Sequence, residues 1–279
     1  MRVVITRPAA DASAWVDALQ AAGHQALALP LIEVGPVAHT QAVVQAWAQW
    51  PEFQAVMFVS AQAVRYFFEC QPLALRAAAG DATHPLWTAG PRCWATGPGT
   101  HKALLQAGVP ETCIDSPAAD AQQFDSEALW ARVAAQVKTE QSVLIVRGHD
   151  VCADTRASTS TASPAPLTGT GRDWLAQQLQ GVGASAQFVV AYERRAPAWS
   201  LVQKTQATQA ATDGSVWCFS SSQAIHHLAR ALPAQSWAKA RCVATHDRIA
   251  QTAQSLGFGE IHRSKPSLAD VLVSLESLA

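Results

Sequence analysis

The chain repeats itself, and that repeat narrows its architecture before any single motif is read. RCWAT at 92–96 recurs as RCVAT 149 residues later, in a register that also carries Gly108 onto Gly257 and Pro117 onto Pro266. MFVSAQAV at 57–64 returns as CFSSSQAI at 218–225, an offset of 161. Gly23 and Gly183, like Glu33 and Glu193, stand 160 apart, while ITR at 5–7 is echoed by IVR at 145–147 at an offset of 140. Self-similarity at a near-constant offset marks a duplicated structural unit. The step from 140 to 160 needs about twenty extra residues between Arg147 and Gly183, and TRASTSTASPAPLTGT at 155–170, half of it Ser or Thr, supplies them. So little apolar surface cannot offset the entropy of ordering. A disordered surface insert at about 151–171, without a catalytic role, is expected.

Each copy alternates short β-branched runs, VVIT, VMFV and VLIV, with helical patterns such as Trp15, Leu19 and Ala22 on one face. That alternation predicts parallel sheets covered by helices on both sides. Pro36 and Pro197, 161 apart, suit extended crossing segments. The expected architecture is two similar parallel-sheet α/β domains joined by two extended linker strands, enclosing a cleft. A length of 279 residues supports two such cores.

Composition excludes some functions. A net charge of −1 argues against a nucleic-acid coat or a membrane-surface protein, both of which need a large excess of Lys and Arg. Any anionic ligand must then be held by local groups. The six cysteines form no CxxC pair and no zinc-like cluster with His, and read as reduced, buried apolar residues. The adjacent His226 and His227 cannot share a helix face, so a structural or solvent role is expected, and no metal site. The ten tryptophans, scattered singly, read as core and interface filler. MRVVITRP passes directly into a strand-like run, and no stretch approaches the ~20 apolar residues of a membrane span. A cytoplasmic location is expected.

In open α/β sheets ligands collect beyond the carboxyl ends of the strands, where helix N-termini present unpaired N–H groups. The segments expected there are Arg7-Pro8, Ser60-Ala61-Gln62, Thr96 to Thr100 with Gly97, Arg147-Gly148, Ser220-Ser221-Ser222 and Thr245-His246. Such ends, gathered around one cleft, could bind several carboxylates. Each also has a plainer explanation, since Ser and Thr are ordinary helix caps and Gly97 and Gly99 can serve a tight turn. GPGT lacks the Lys of a P-loop and the third Gly of a dinucleotide fingerprint, and Pro98 removes an N–H that a phosphate would use. A nucleotide is therefore disfavoured.

VVITRP, SAQAV, WATGPGTHKALLQAG followed by IDSPAADAQQFDSEAL, VLIVRG followed by GRDWLAQQL, AYERR and FSSSQAI together resemble the uroporphyrinogen-III synthase family, over nearly the whole chain apart from the insert. The resemblance implies two flavodoxin-like domains, 1–36 with 197–279 and 40–190, linked at about 34–40 and 190–198. It implies a cofactor-free lyase that cyclises hydroxymethylbilane to uroporphyrinogen III, with loss of water and inversion of ring D; nothing in the sequence demands more than a monomer. Transient contact with hydroxymethylbilane synthase, the preceding enzyme, is the partner it offers. A substrate with eight carboxylates calls for many dispersed donors. The enzyme's task is mainly orientation, so that ring D reacts at its substituted carbon.

By the same resemblance Tyr192 matches the family's tyrosine and is the candidate proton donor to the leaving hydroxyl. The plain alternative is a linker tyrosine with its ring packed and its hydroxyl wet. The other tyrosine, Tyr66, lies in an apolar run with Phe67 and Phe68. Ser60, Thr100 and Ser222 match substrate-contacting positions, and Arg7 reads as a carboxylate clamp or as a salt-bridge partner of a neighbouring element. The chain departs from the family at 245–248, where Thr-His-Asp-Arg replaces a Gly-Pro turn, so His246 carries over less directly. A charge pair there could close over substrate or cap the helix. Two other classes fit the pattern: a non-catalytic two-domain small-anion binding protein, and a nucleotide-sugar transferase, which would be expected to carry a stronger phosphate loop.

Overall fold

The computed structural model describes residues 1–76, 81–118, 124–151 and 173–278. The Ser/Thr-rich insert lies outside the described residues. In chain order the elements are β1 (Arg2–Ile5), α1 (Ala9–Ala21), β2 (Gln25–Ala28), β3 (Glu33–Pro36), α2 (Gln41–Ala48), β4 (Phe53–Phe58), α3 (Ala61–Glu69), α4 (Leu73–Arg76), α5 (Pro85–Thr88), β5 (Arg92–Ala95), α6 (Pro98–Gln106) and β6 (Ile114–Asp115). They continue as α7 (Ser126–Val133), β7 (Ser142–Asp150), α8 (Trp174–Gly181), β8 (Ser185–Arg195), α9 (Leu201–Ala210), β9 (Val216–Phe219), α10 (Ser222–Ala231), β10 (Arg241–Ala244), α11 (Asp247–Leu256), β11 (Glu260–Arg263) and α12 (Leu268–Glu276). The chain divides into Met1–Val34 with Arg195–Ala279 and, separately, Gly35–Arg194. It passes between the two units within β3 and at the end of β8.

The first unit is a sheet of order β11-β10-β9-β1-β2 in which all neighbours run parallel. Counted from β2 inward this is the 2-1-3-4-5 order of flavodoxin-like folds. Its central strands β1, β9 and β10 are largely apolar on both faces, as burial between two helical layers requires. Val3 and Ile5 point into a core shared with Leu19 of α1 and Leu275 of α12, while Val4, between them, joins Trp217, Leu228 and Ile249 on the other face.

The second unit has the order β3-β8-β7-β4-β5-β6, with β4 parallel to β5 and β7, β5 to β6, and β7 to β8. Taking β7, β8, β4, β5 and β6 as first to fifth recovers the same 2-1-3-4-5 order, entered by the chain at a different strand. That permutation accounts for the direction of the repeat offsets: β1 precedes its counterpart β7 by 140, whereas β9 and β10 follow theirs, β4 and β5, by 161 and 149. The paired glycines keep their geometry, with φ of 85° at Gly108 and 96° at Gly257, and 82° at Gly23 and 78° at Gly183. Each lies just past a helix, where the left-handed region is open mainly to glycine.

One face of the second sheet buries Met57, Trp94 and Ile145 against Leu129 of α7 and Leu175 of α8. The tryptophans, dispersed in sequence, cluster in space: Trp47 stacks on Trp50 at 4.7 Å, and Trp50 meets Trp87 edge-on at 6.3 Å. Cys93, Cys218 and Cys242 are buried, and burial pushes their thiols up, to about 12 for Cys218 and Cys242. His226 is exposed, whereas His227 is buried with its Nδ1 2.6 Å from the Leu31 carbonyl oxygen. Among the described residues no helix is long and apolar enough to cross a membrane, and no three His, Cys, Asp or Glu side chains group to hold a metal.

Candidate functional site

In the second unit β4 ends at Phe58, and the chain turns through Val59 into α3 with Ser60 as its N-cap. The apolar residues Ala63, Val64, Phe67 and Phe68 pin that helix to the sheet. Ser60 is extended, with φ −165°, and its Oγ accepts the Ala63 N–H at 3.2 Å. Half-buried, it carries a second hydrogen bond, at 3.1 Å, to the phenol of Tyr192.

Tyr192 reaches Ser60 because β8 is irregular. Ile145, Val146 and Arg147 of β7 pair in step with Phe188, Val189 and Val190, and then Gly148 pairs with Tyr192, leaving Ala191 as one extra residue in β8. Strict alternation would place Tyr192 on the same face as Phe188 and Val190, toward α7 and α8. The bulge turns it to the opposite face, since one residue of slip reverses the direction of every side chain beyond it. There its ring stacks on Tyr66 of α3 at 6.1 Å and 22°. Gly148 completes the seat: a Cβ on it would lie 2.4 Å from Tyr192 Cζ and 2.9 Å from its hydroxyl oxygen. The alternative of a wet linker hydroxyl does not hold, because Tyr192 is only 4% exposed and its hydroxyl is bonded.

Arg147 occupies the other face. Its guanidinium lies 3.9 Å over the Phe188 ring and donates from Nη1 to Asp173 at 2.9 Å. The side chain is 5% exposed, and its Nε has no partner among the described residues. It lines a cavity of about 310 Å³ with Met57, Val59, Thr96, Asp125 and Leu175. The structure thus brings Ser60, Ala61, Gln62 and Tyr192 together at the N-terminus of α3, and sets Arg147 behind the sheet with its charge already met by Asp173.

At the end of the adjacent strand β5, Gly97 is the N-cap of α6, Pro98 is its first residue and Thr100 is buried. Gly97 is extended at φ −177°, and neither it nor Gly99 has positive φ, so the tight-turn role expected for them is not what their backbone shows. Close approach explains Gly97 instead, because a Cβ there would meet Phe124 Cβ at 3.0 Å.

The first unit carries the equivalent ends on β1, β9 and β10. Ser221 is the N-cap of α10 but makes no side-chain capping bond. Ser222 Oγ and Thr245 Oγ1 are buried without partners among the described residues. Arg7 packs over Trp15 at 4.1 Å, with Nη2 3.5 Å from the Pro266 carbonyl; burial lowers its pKa and Asp11 partly offsets that. At the 245–248 departure, His246 is the exposed N-cap of α11, and Asp247 pairs with Arg263 of β11 at 2.9 Å. That pair is largely exposed, so it contributes little.

Sequence reasoning named Gly148 only as part of a strand-end segment, not as the seat of Tyr192, and missed Asp173. Arg147 and Gly148 do not lie beyond their strand as expected, because β7 runs on to Asp150 and Gly148 meets Tyr192 from within the pairing. Asp173 had no signal in the sequence, since it meets Arg147 only in space.

Two duplicated, permuted 2-1-3-4-5 sheets with hydroxyl and amide donors at their carboxyl ends define a flavodoxin-like α/β pair without a phosphate loop. The family model described as uroporphyrinogen-III synthase HemD matches residues 13–272, and the chain belongs to that family of enzymes of tetrapyrrole synthesis. Among solved structures, a mutant uroporphyrinogen III synthase from the extreme thermophile Thermus thermophilus is similar at a TM-score of 0.52 and 14% identity, with 99% of this chain and 98% of that one covered. The uroporphyrinogen-III synthetase of Helicobacter pylori 26695 is similar at 0.51 and 16% identity, with both chains covered in full. Those likenesses carry the fold.

Proposed function

We propose that the protein cyclises hydroxymethylbilane to uroporphyrinogen III, losing water and inverting ring D, as a hydro-lyase that works without a cofactor, as a monomer, in the cytoplasm. The observation that carries this beyond the family match is the hydrogen-bonded pair of a buried Tyr192 and a half-buried Ser60 at the carboxyl end of the second sheet. Expelling the terminal hydroxyl of the bilane as water takes one proton, and the phenol of Tyr192, hydrogen-bonded to Ser60 at the α3 N-terminus, can supply it. The cation so formed closes to the wrong isomer when unrestrained, so the remaining work is orientation. In the second unit the donors at Ala61 and Gln62 with buried Gly97 and Thr100, and in the first those at Ser221, Ser222 and His246, support carboxylate binding without a dense basic patch. Arg7 and Arg147 are assigned to substrate more weakly, since each already packs on an aromatic ring.

The deciding experiment is incubation with freshly made hydroxymethylbilane, oxidation, and chromatographic separation of isomers I and III. Isomer III well above the no-enzyme background is expected. Isomer I alone would refute the activity and favour the non-catalytic anion-binding alternative. Tyr192→Phe should lower turnover by about 10²-fold; unchanged turnover removes the phenol from the mechanism.

A further inference from the structure

Resting on that function, the structure assigns the last proton transfer to Ser60 rather than to Tyr192: we propose a two-hydroxyl relay in which the phenol recharges the serine and the serine touches the substrate. A hydroxyl donates once and accepts twice. Among the described residues the Tyr192 hydroxyl has one partner, Ser60 Oγ, and the residue is 4% exposed, so its proton has nowhere else to go. Tyr192 therefore donates and Ser60 accepts. Ser60 Oγ accepts a second time, from the Ala63 N–H at 3.2 Å. Both of its lone pairs are then used, and its own proton is the one left without an acceptor among the described residues. Ser60 is half-buried where Tyr192 is sealed, so it is the member of the pair that a ligand reaches.

The step balances. The carbon–oxygen bond of the hydroxymethyl group breaks, and its electron pair leaves with the oxygen. That oxygen takes the Ser60 proton and departs as water, while Ser60 Oγ takes the proton of Tyr192. The phenolate then faces the cationic ring. The proton released from carbon on ring closure returns through Ser60 to Tyr192, so both hydroxyls end as they began.

The test compares Ser60→Asn, Tyr192→Phe and their double variant in single-turnover formation of isomer III, beside the wild type. Asn caps a helix about as well as Ser, so Ser60→Asn keeps the α3 cap and removes only the transferable proton. Each single variant is expected to lose about 10²-fold in rate, with substrate affinity within about 3-fold. The double variant should be no slower than the slower single, because the two groups act as one unit. Ser60→Thr, which keeps both hydroxyl and cap, should restore most of the rate. In mixed light and heavy water the wild-type rate should curve with deuterium fraction, as two protons in flight require. Near-wild-type turnover by Ser60→Asn with an impaired Tyr192→Phe would overturn the relay and leave the function standing. So would a linear isotope dependence, or losses that multiply in the double variant. A wild type that forms no isomer III would overturn both.

Discussion

Gly148→Ala tests the seat of Tyr192 with one methyl group. Gly148 does not have positive φ, so its backbone accepts alanine, and lower chain entropy alone would make the change stabilising by ~0.4–1 kcal/mol. The neighbour reverses that sign. The new Cβ would lie 2.4 Å from Cζ and 2.5 Å from Cε2 of Tyr192, where carbon contacts want ~3.5–4.0 Å. The ring must therefore move by about an ångström against Tyr66, and such overpacking costs ~1–3 kcal/mol. At ~2–4 °C per kcal/mol for a unit of this size, Tm should fall by about 2–12 °C. A displacement of that order at a reacting group should also cut formation of isomer III by about 10²-fold. Thermal and urea unfolding measure the first effect, and the isomer assay the second. The Tyr192→Phe background should keep the penalty, since phenylalanine retains both clashing carbons. In Tyr192→Ala the penalty should vanish and Gly148→Ala become neutral or stabilising. An equal cost in all three backgrounds would refute the contact between Gly148 and the ring as its cause.

His227→Ala strands the buried Leu31 carbonyl and should cost ~1–3 kcal/mol in urea unfolding, against ~0.5 kcal/mol or less for the exposed His226→Ala; equal effects would refute the assigned contact. Burial raises the thiol pKa values of Cys218 and Cys242 to about 12, so their thiolate fractions near neutral pH are very small. Alkylation of the native protein between about pH 7 and 9 should leave both unlabelled, along with Cys93, by peptide mapping; labelling without unfolding would contradict the packing. Ser221→Ala should change stability by less than ~0.5 kcal/mol because Ser221 makes no capping bond, whereas Ser60→Ala should lose ~1 kcal/mol with its cap. Equal losses on thermal unfolding would show that the two serines cap alike.

Much of the fold was legible because duplication writes the same local rules twice. A glycine past a helix and a small polar residue past a strand are local requirements, and both recur at fixed offsets. The strand order was not legible, since parallel pairing joins segments far apart in the chain, and only coordinates show that the second unit enters its sheet at a different strand. Within the site, Ser60 and the α3 N-terminus could be read from SAQAV because a cap is local. The facing of Tyr192 could not. Alternation along QFVVAYERR puts Phe188 and Tyr192 on one side, and the bulge at Ala191 that separates them has no signature in either residue. Arg147 was grouped with the other strand ends for the same reason: its place in the sequence does not reveal that Phe188 and Asp173 already hold it.

The duplication also supplies an internal comparison for the acid. In the register that pairs Glu33 with Glu193, Tyr192 corresponds to Ile32, which is buried in the core of the first unit, while in the register offset by 161 Ser60 corresponds to Ser221. The first unit thus keeps the serine but not the phenol, and Ser221 does not cap its helix as Ser60 does. It retains instead Ser222 Oγ and Thr245 Oγ1, buried hydroxyls without partners among the described residues. An unpaired buried hydroxyl is costly to keep unless something completes it. The proposed substrate, with many carboxylates and one leaving hydroxyl, would call for that division: donors wherever a carboxylate falls, and a single proton source.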